Sequence, residues 1–228
     1  MGSITNNLQE VRRRIAHACA EAGRSAAEVR LLAVSKTFGA DAVQQAFDAG
    51  QRAFGENYVQ EALAKIEALV DVRAQIEWHL IGPLQSNKTR VVAEQFDWVH
   101  SVDRLKIAQR LSEQRPAALP PLQICLQVNI SGEASKSGFG VEALMAAAPA
   151  IAALPRLSLR GLMAIPEPAA GLQAQREPHR ALHELLQALN AKGLALDTLS
   201  MGMSADLEAA VLEGSTLVRI GSAIFGSR

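Results

Sequence analysis

Short apolar runs rich in β-formers recur along the chain, and stretches with helical periodicity separate them. The runs are Leu31 to Val34, Arg52 to Phe54, Glu77 to Ile81, Trp98 to His100, Leu122 to Ile130, Leu159 to Ile165, Leu196 to Met201 and Thr216 to Ile220. Helical patterns fill segments such as Asp41 to Ala49, Val59 to Leu69, Arg104 to Leu111 and Arg180 to Lys192. The later runs are continuously apolar, as strands covered on both faces are. Eight such units predict a parallel (β/α)8 TIM barrel, an architecture of about 250 residues. An open doubly wound sheet is the competitor, and no G-x-G-x-x-G follows the first strand to support it. An amphipathic stretch from Ile4 to Glu21 predicts an additional N-terminal helix packed outside the barrel. Pro116 to Pro121 and Pro166 to Pro178 read as loops between barrel units, so residues 1–228 read as one domain.

Composition narrows the function classes. The 228 residues set 23 Lys+Arg against 23 Asp+Glu, which argues against holding nucleic acid or an anionic membrane by bulk charge. The short cluster Arg12-Arg13-Arg14 reads as a solvated helix face. Cys19 and Cys125 offer neither metal spacing nor a disulfide framework, which fits a reducing compartment. No apolar run has membrane-spanning length and the N-terminus lacks a signal-peptide core, so a cytoplasmic protein is expected.

In such a barrel, chemistry sits at the C-terminal ends of the strands. Strand one ends in Ser35-Lys36-Thr37, strand two in Gly55-Glu56-Asn57-Tyr58, and strand three in Gly82 to Lys88. Strand five delivers Asn129, strand seven Ser200 to Ser204, and strand eight Arg219 to Ser222. Ser204 is placed to cap a helix from Asp206 to Glu213, and Gly202 permits close backbone approach to a ligand. The loops after strands seven and eight form the common phosphate site of this fold. The plainer alternative is a helix cap and a turn with no ligand, and spacing alone leaves both open.

Lys36, ending an apolar strand, either snorkels to the rim or acts as a Schiff-base amine. Closing the barrel sets strand one beside strand eight, so Lys36 shares a mouth with the candidate phosphate site. Arg219 alternates with Val218 and Ile220 and therefore points opposite to them, inward or upward beside Gly221, towards a ligand heteroatom or a neighbouring carboxylate. Lysine, arginine and phosphate site together suggest pyridoxal 5'-phosphate. An arginine cannot give up its proton, so it would leave the pyridine nitrogen unprotonated and the ring a weak electron sink. Holding the cofactor, or modest proton chemistry, then suits the site better than transamination.

At these residues the chain resembles the YggS/PROSC family of pyridoxal-phosphate-binding proteins, related to the barrel domain of bacterial alanine racemase (fold type III). The matching segments run in order along nearly the whole chain. They include Leu32 to Thr37, Phe54 to Glu61, Trp78 to Lys88, Val128 to Ile130, Ser135 to Gly138, Arg160 to Met163, Leu199 to Ser204 and Val218 to Gly226. The resemblance implies a covalent aldimine at Lys36, phosphate contacts from Ser200, Ser204, Gly221 and Ser222, backbone contact at Met203, and Arg219 at the pyridine nitrogen. It also places Asn57 and His79 on the same rim. Family members are thought to maintain vitamin B6 balance without an established turnover, and the resemblance suggests a monomer with apo-enzymes as candidate recipients. The chain departs from the family pattern in the Ala/Pro-rich loop Glu167 to Pro178 and in ending two residues beyond Gly226.

A racemase is the alternative from another class. It needs a base on each face of the substrate carbon, and the single tyrosine, Tyr58, with no second domain lowers that reading. A Schiff-base aldolase barrel is more remote. His179 and His183 have the i, i+4 spacing of a metal pair but lack the glutamate of H-E-x-x-H, so they read as surface histidines. Lys136 reads as a solvated loop lysine that could face the mouth, and Trp78 and Trp98 read as packing residues.

Overall fold

The computed structural model describes residues 2–131 and 137–226, so Lys136, Ser135 and the chain end at Arg228 lie outside the described residues. Helix α1 (Ile4–Glu21) opens the fold, with the Ser3 hydroxyl accepting the Asn6 N–H at its first turn. There follow β1 (Arg30–Val34), α2 (Ala40–Asp48), β2 (Ala53–Glu56), α3 (Val59–Ala68), β3 (Glu77–Leu80) and α4 (Thr89–Gln95). Next come β4 (Trp98–Val102), α5 (Leu105–Gln114), β5 (Leu122–Gln127), α6 (Val141–Ala152) and β6 (Leu157–Met163). The chain finishes with α7 (Leu172–Ala191), β7 (Thr198–Ser200), α8 (Leu207–Leu212), β8 (Leu217–Ile220) and α9 (Ser222–Phe225). The eight strands pair in parallel in sequence order, and β8 returns to β1, with Leu32 opposite Arg219, to close the barrel. Each predicted run overlaps a strand, with bounds shifted by up to three residues (β5 ends at Gln127, not Ile130), and the predicted N-terminal helix is present.

Strand alternation divides the interior into two unlike regions. Ala33, Phe54, Trp78, Leu80, Val99, Ile124, Val218 and Ile220 face outward and form one continuous core with the apolar stripes of the helices. Helix α1 contributes Leu8, Val11, Ile15 and Ala18, spaced at three and four residues so that all lie on one buried face. Among the described residues the barrel lumen holds two small apolar clusters, Leu32–Ala53–Leu217 and Trp98–Cys125–Met163. Between them stand His79, His100, Ser200 and Arg219, all buried.

Two expectations fail here. Helix α7 begins at Leu172 and runs through Pro178, so the loop expected up to Pro178 ends earlier. Proline removes one helical N–H, but the buried face of His179, Leu182, Leu186 and Leu189 holds the helix against the barrel. Ser204 does not cap α8: Asp206 occupies that position, and Ser204 lies in the preceding turn.

The rim after β2 and β3 depends on one close approach. A Cβ on Gly82 would lie 2.1 Å from the Asn57 carbonyl oxygen, so only glycine lets these loops meet. Gly82→Ala is expected to cost about 1–3 kcal/mol through overpacking against backbone. An unchanged urea midpoint for this variant would refute the account.

Candidate functional site

The strand ends open onto a pocket of about 390 Å³ lined by Lys36, Tyr58, Gly221 and Ser222, with Val34 and Phe38 beside them. Lys36 is exposed and continues the inward register of Leu32 and Val34, so it stands at the rim and over the mouth at once. Tyr58 is 56% exposed on the same pocket. Across from them, Ser222 Oγ donates to Ser204 Oγ at 3.3 Å, bringing the loops after β8 and β7 together. Asn57 is half-buried at the rim. Lys36, Ser204, Gly221 and Ser222 therefore converge as the sequence predicts.

The turn carrying Ser204 is held from outside the barrel. Met203 N–H donates to Asp206 Oδ1 at 2.7 Å, and Asp206 Oδ2 lies 3.0 Å from His179 Nε2 on α7. Arg14 from α1 donates to the Ser204 carbonyl at 3.1 Å and grips Glu208 at 2.9 and 3.0 Å. These contacts correct several expectations. His179 is 1% exposed and not a surface residue, while His183 Nδ1 meets the Glu213 carbonyl at 2.9 Å. Arg14 is a tie between helices and not part of a solvated face. The Met203 N–H is taken up by Asp206. Gly202, at φ +96°, is small because the Ala210 methyl occupies the space a Cβ would need, 2.6 Å away.

Beneath the mouth runs a hydrogen-bonded chain that the sequence did not announce. Arg219 Nη1 donates to Ser200 Oγ at 2.9 Å and to the Ser200 carbonyl at 2.5 Å, and Nη2 donates to the Ala164 carbonyl at 2.9 Å. Ser200 Oγ lies 2.7 Å from His100 Nδ1, and His100 Nε2 lies 2.9 Å from His79 Nδ1. His79 Nε2 ends 3.5 Å from Glu77 Oε2, an electrostatic contact longer than a well-made hydrogen bond. Glu77 also accepts from Trp98 Nε1 at 3.1 Å and from Arg30 at 3.0 Å.

The two ends fix the direction of this chain. A guanidinium only donates and a carboxylate only accepts, which assigns Nε2–H tautomers to both histidines. Ser200 thus lies between Arg219 and His100, buried in the lumen. His79 is fully buried in the lumen, not on the rim. The inward alternation of Trp98 and His100 was the available signal for His100, since its strand was recognised.

Electrostatics follow from burial. Arg219 is brought down to about 10 by burial and stays cationic at neutral pH. Among the described residues no carboxylate forms an ion pair with it. Burial lowers His79 despite the nearby Glu77, and it lowers His100 well below 6.5 with help from His79 and Arg219. His79, opposed by burial and joined by Arg30, holds Glu77 down to about 2. For Asp206, burial works upward, but His179 and the Met203 N–H outweigh it and keep the carboxyl low. Burial raises Cys125 to about 12, which makes it inert packing.

Comparison with known proteins gives this geometry a family. The family model for the alanine racemase N-terminal domain matches residues 4–228. The pyridoxal phosphate homeostasis protein of Pseudomonas aeruginosa is 62% identical over 228 residues, covering 100% of this chain and 97% of the relative. The Escherichia coli K12 protein of the same name is 54% identical, covering 100% and 98%. The chain belongs to the pyridoxal phosphate homeostasis protein family. Among solved structures, PipY of Synechococcus elongatus with PLP bound superposes with a TM-score of 0.87 at 36% identity, covering 98% of this chain and 100% of that one.

In this family member the neutral lumen histidines carry a pH signature. Their folded values lie below 6.5, so above 6.5 neither the folded nor the unfolded state takes up their protons. As pH falls below 6.5 the unfolded chain protonates first, and stability drops until the depressed folded values are reached. The slope should approach about 1.4 kcal/mol per pH unit for each histidine. Glu77 adds a separate loss between 4.5 and about 2. Urea midpoints measured against pH should show the upper window flattened in His100→Gln; an equal slope in the variant would rule the assignment out.

Proposed function

We propose that this chain binds pyridoxal 5'-phosphate in a single barrel domain, holds it as a Schiff base on Lys36, and serves vitamin B6 homeostasis. The observation that carries this reading is Arg219, a buried cation without a carboxylate partner among the described residues, seated in the lumen below an exposed lysine. By the β1–β8 register, Lys36 stands four residues beyond the level of Arg219. In pyridoxal phosphate the ring nitrogen is para to the aldehyde and the phosphate arm is ortho to it. An amine above, a donor below and hydroxyls at one side fit that layout. Lys36 is the covalent anchor, and Ser204, Gly221 and Ser222 hold the phosphate. Arg219 faces the ring nitrogen, and Asn57 borders the site. Ser200 and His79 act behind Arg219, and Met203 acts through its bond to Asp206. The relatives named as pyridoxal phosphate homeostasis proteins, and PipY with PLP bound, support the reading.

When bound, the group supplies an electrophilic aldehyde and a conjugated ring. Arg219 donates to the ring nitrogen without yielding a proton, which keeps the ring a modest electron sink and favours storage or delivery over turnover. One specific observation favours a second reading, weak racemase-like activity: Tyr58 lines the same pocket as Lys36. Exchange of an amino-acid α-hydrogen for solvent deuterium, lost in Tyr58→Phe, would mark that activity.

The main test is the visible absorption spectrum, with borohydride reduction followed by intact mass. The parent should gain one covalently fixed cofactor, and Lys36→Ala should gain none. Absence of any adduct in the parent after added pyridoxal phosphate would sink the reading. Arg219→Gln should weaken binding about tenfold or more, or about 1.4 kcal/mol. Transfer to an apo-enzyme then separates delivery from storage.

A further inference from the structure

Lys36 lies beyond the regular ladder. Strand β1 ends at Val34, and the Ser35 N–H makes a last bond to the Gly55 carbonyl at 3.0 Å. The next residue but one, Thr37, has φ +69°, a left-handed conformation that is an outlier for a β-branched side chain. Such a conformation costs about 1–3 kcal/mol and persists only where its surroundings impose it.

Helix α3 supplies those surroundings. Glu61 Oε2 accepts the Thr37 N–H at 3.0 Å, on the far side of Lys36. On the near side, Lys65 Nζ donates to the Ser35 carbonyl at 2.8 Å and to Glu56 Oε1 at 2.6 Å. Ser35 Oγ donates to the same Glu56 oxygen at 2.5 Å. Glu61 and Lys65 are four residues apart, hence on one face of α3. Glu56 is fully buried and Lys65 only 5% exposed. A buried ion pair is poor value as a source of stability, because desolvation offsets most of the attraction. Its geometric effect is definite: with Ser35 pinned outward, alternation turns Lys36 inward.

We propose that Glu61 and Lys65 of α3, with Glu56, form a clamp on the peptide groups flanking Lys36 that sets its amine for covalent capture of an aldehyde. This rests on the reading that Lys36 is the anchor. None of the three lines the pocket that holds Lys36, so they are positioning residues. In the capture step the Lys36 nitrogen forms a bond to the aldehyde carbon and the carbonyl oxygen leaves as water. A protonated amine and an aldehyde thus give a protonated imine and one water, with no redox change.

The clamp acts on bond formation and not on recognition of ring or phosphate. Two ligands separate these: pyridoxal 5'-phosphate, and pyridoxine 5'-phosphate, whose alcohol cannot form an imine. In Glu61→Ala and Lys65→Met the rate of imine formation, followed by absorbance and borohydride-fixed mass, should fall about tenfold. Affinity for pyridoxine 5'-phosphate should stay within about twofold, and Glu61→Gln, which keeps an acceptor oxygen, should restore the rate. Should Lys65→Met fail to fold, Glu61→Ala and its Gln counterpart still decide. Equal weakening of both ligands, or no change in either, overturns the clamp. A parent that forms no fixed adduct overturns the anchor reading itself, which is a different result.

Discussion

Arg219 donates to the carbonyls of Ser200 and Ala164 from inside a parallel barrel, and no carboxylate among the described residues neutralises it. Taking a guanidinium out of water is costly unless its N–H groups are matched. Here oxygens at the ends of β6 and β7 match them, and the remaining strain passes into the lumen. Glu77 at the far end can only accept, so with both imidazoles neutral His100 donates at Nε2 and accepts the Ser200 hydroxyl at Nδ1, while Ser200 accepts from Arg219. His79 takes the same orientation and directs its Nε2–H at Glu77. The negative end of the chain is thus kept far from the positive end, and the charge of Arg219 remains available at the mouth.

That arrangement explains why the lumen is not filled as barrels usually are. Layers of bulky branched side chains are the common solution. Here a polar line crosses the barrel, flanked among the described residues by two small apolar clusters. The apolar burial given up inside is carried by the outer layer, where strand faces, α1 and the surrounding helices make one core. Neutral histidines suit such a line because a second charge near Arg219 would add repulsion to desolvation. Both effects lower His100.

The strand and helix pattern was legible because outward strand residues such as Ala33, Trp78, Ile124 and Val218 share one core with the apolar stripes of the helices. The rim residues Lys36, Ser204, Gly221 and Ser222 were legible because strand ends in a barrel share one mouth. The lumen chain was not, because its members lie on four strands and no local spacing links His79 to His100 or Ser200 to Glu77. The placing of His79 on the rim failed on this point. The same limit hid His179 and Arg14. Helical spacing told that they share faces of their helices, but not that those faces meet Asp206 and Ser204. Pro178 misled because the rule against proline within helices is local, whereas the apolar face that holds α7 is tertiary.

Taken together, these contacts show a site whose mouth is set from its outer side. Arg14 of α1 holds the Ser204 carbonyl, His179 of α7 holds Asp206 and through it Met203, and Glu61 of α3 holds Thr37. Three helices that never enter the lumen thus fix two backbone segments of the rim, the Met203–Ser204 turn and the Thr37 turn. The floor is fixed separately by the Arg219 chain. A barrel that turns substrate over needs proton donors and acceptors that change state at the mouth, yet the floor donor here cannot lose its proton. Fixed walls and a fixed donor suit retention of a bound aldehyde. On the proposed reading, release would run through Lys36, exposed at the open rim, exchanging its bond with another amine.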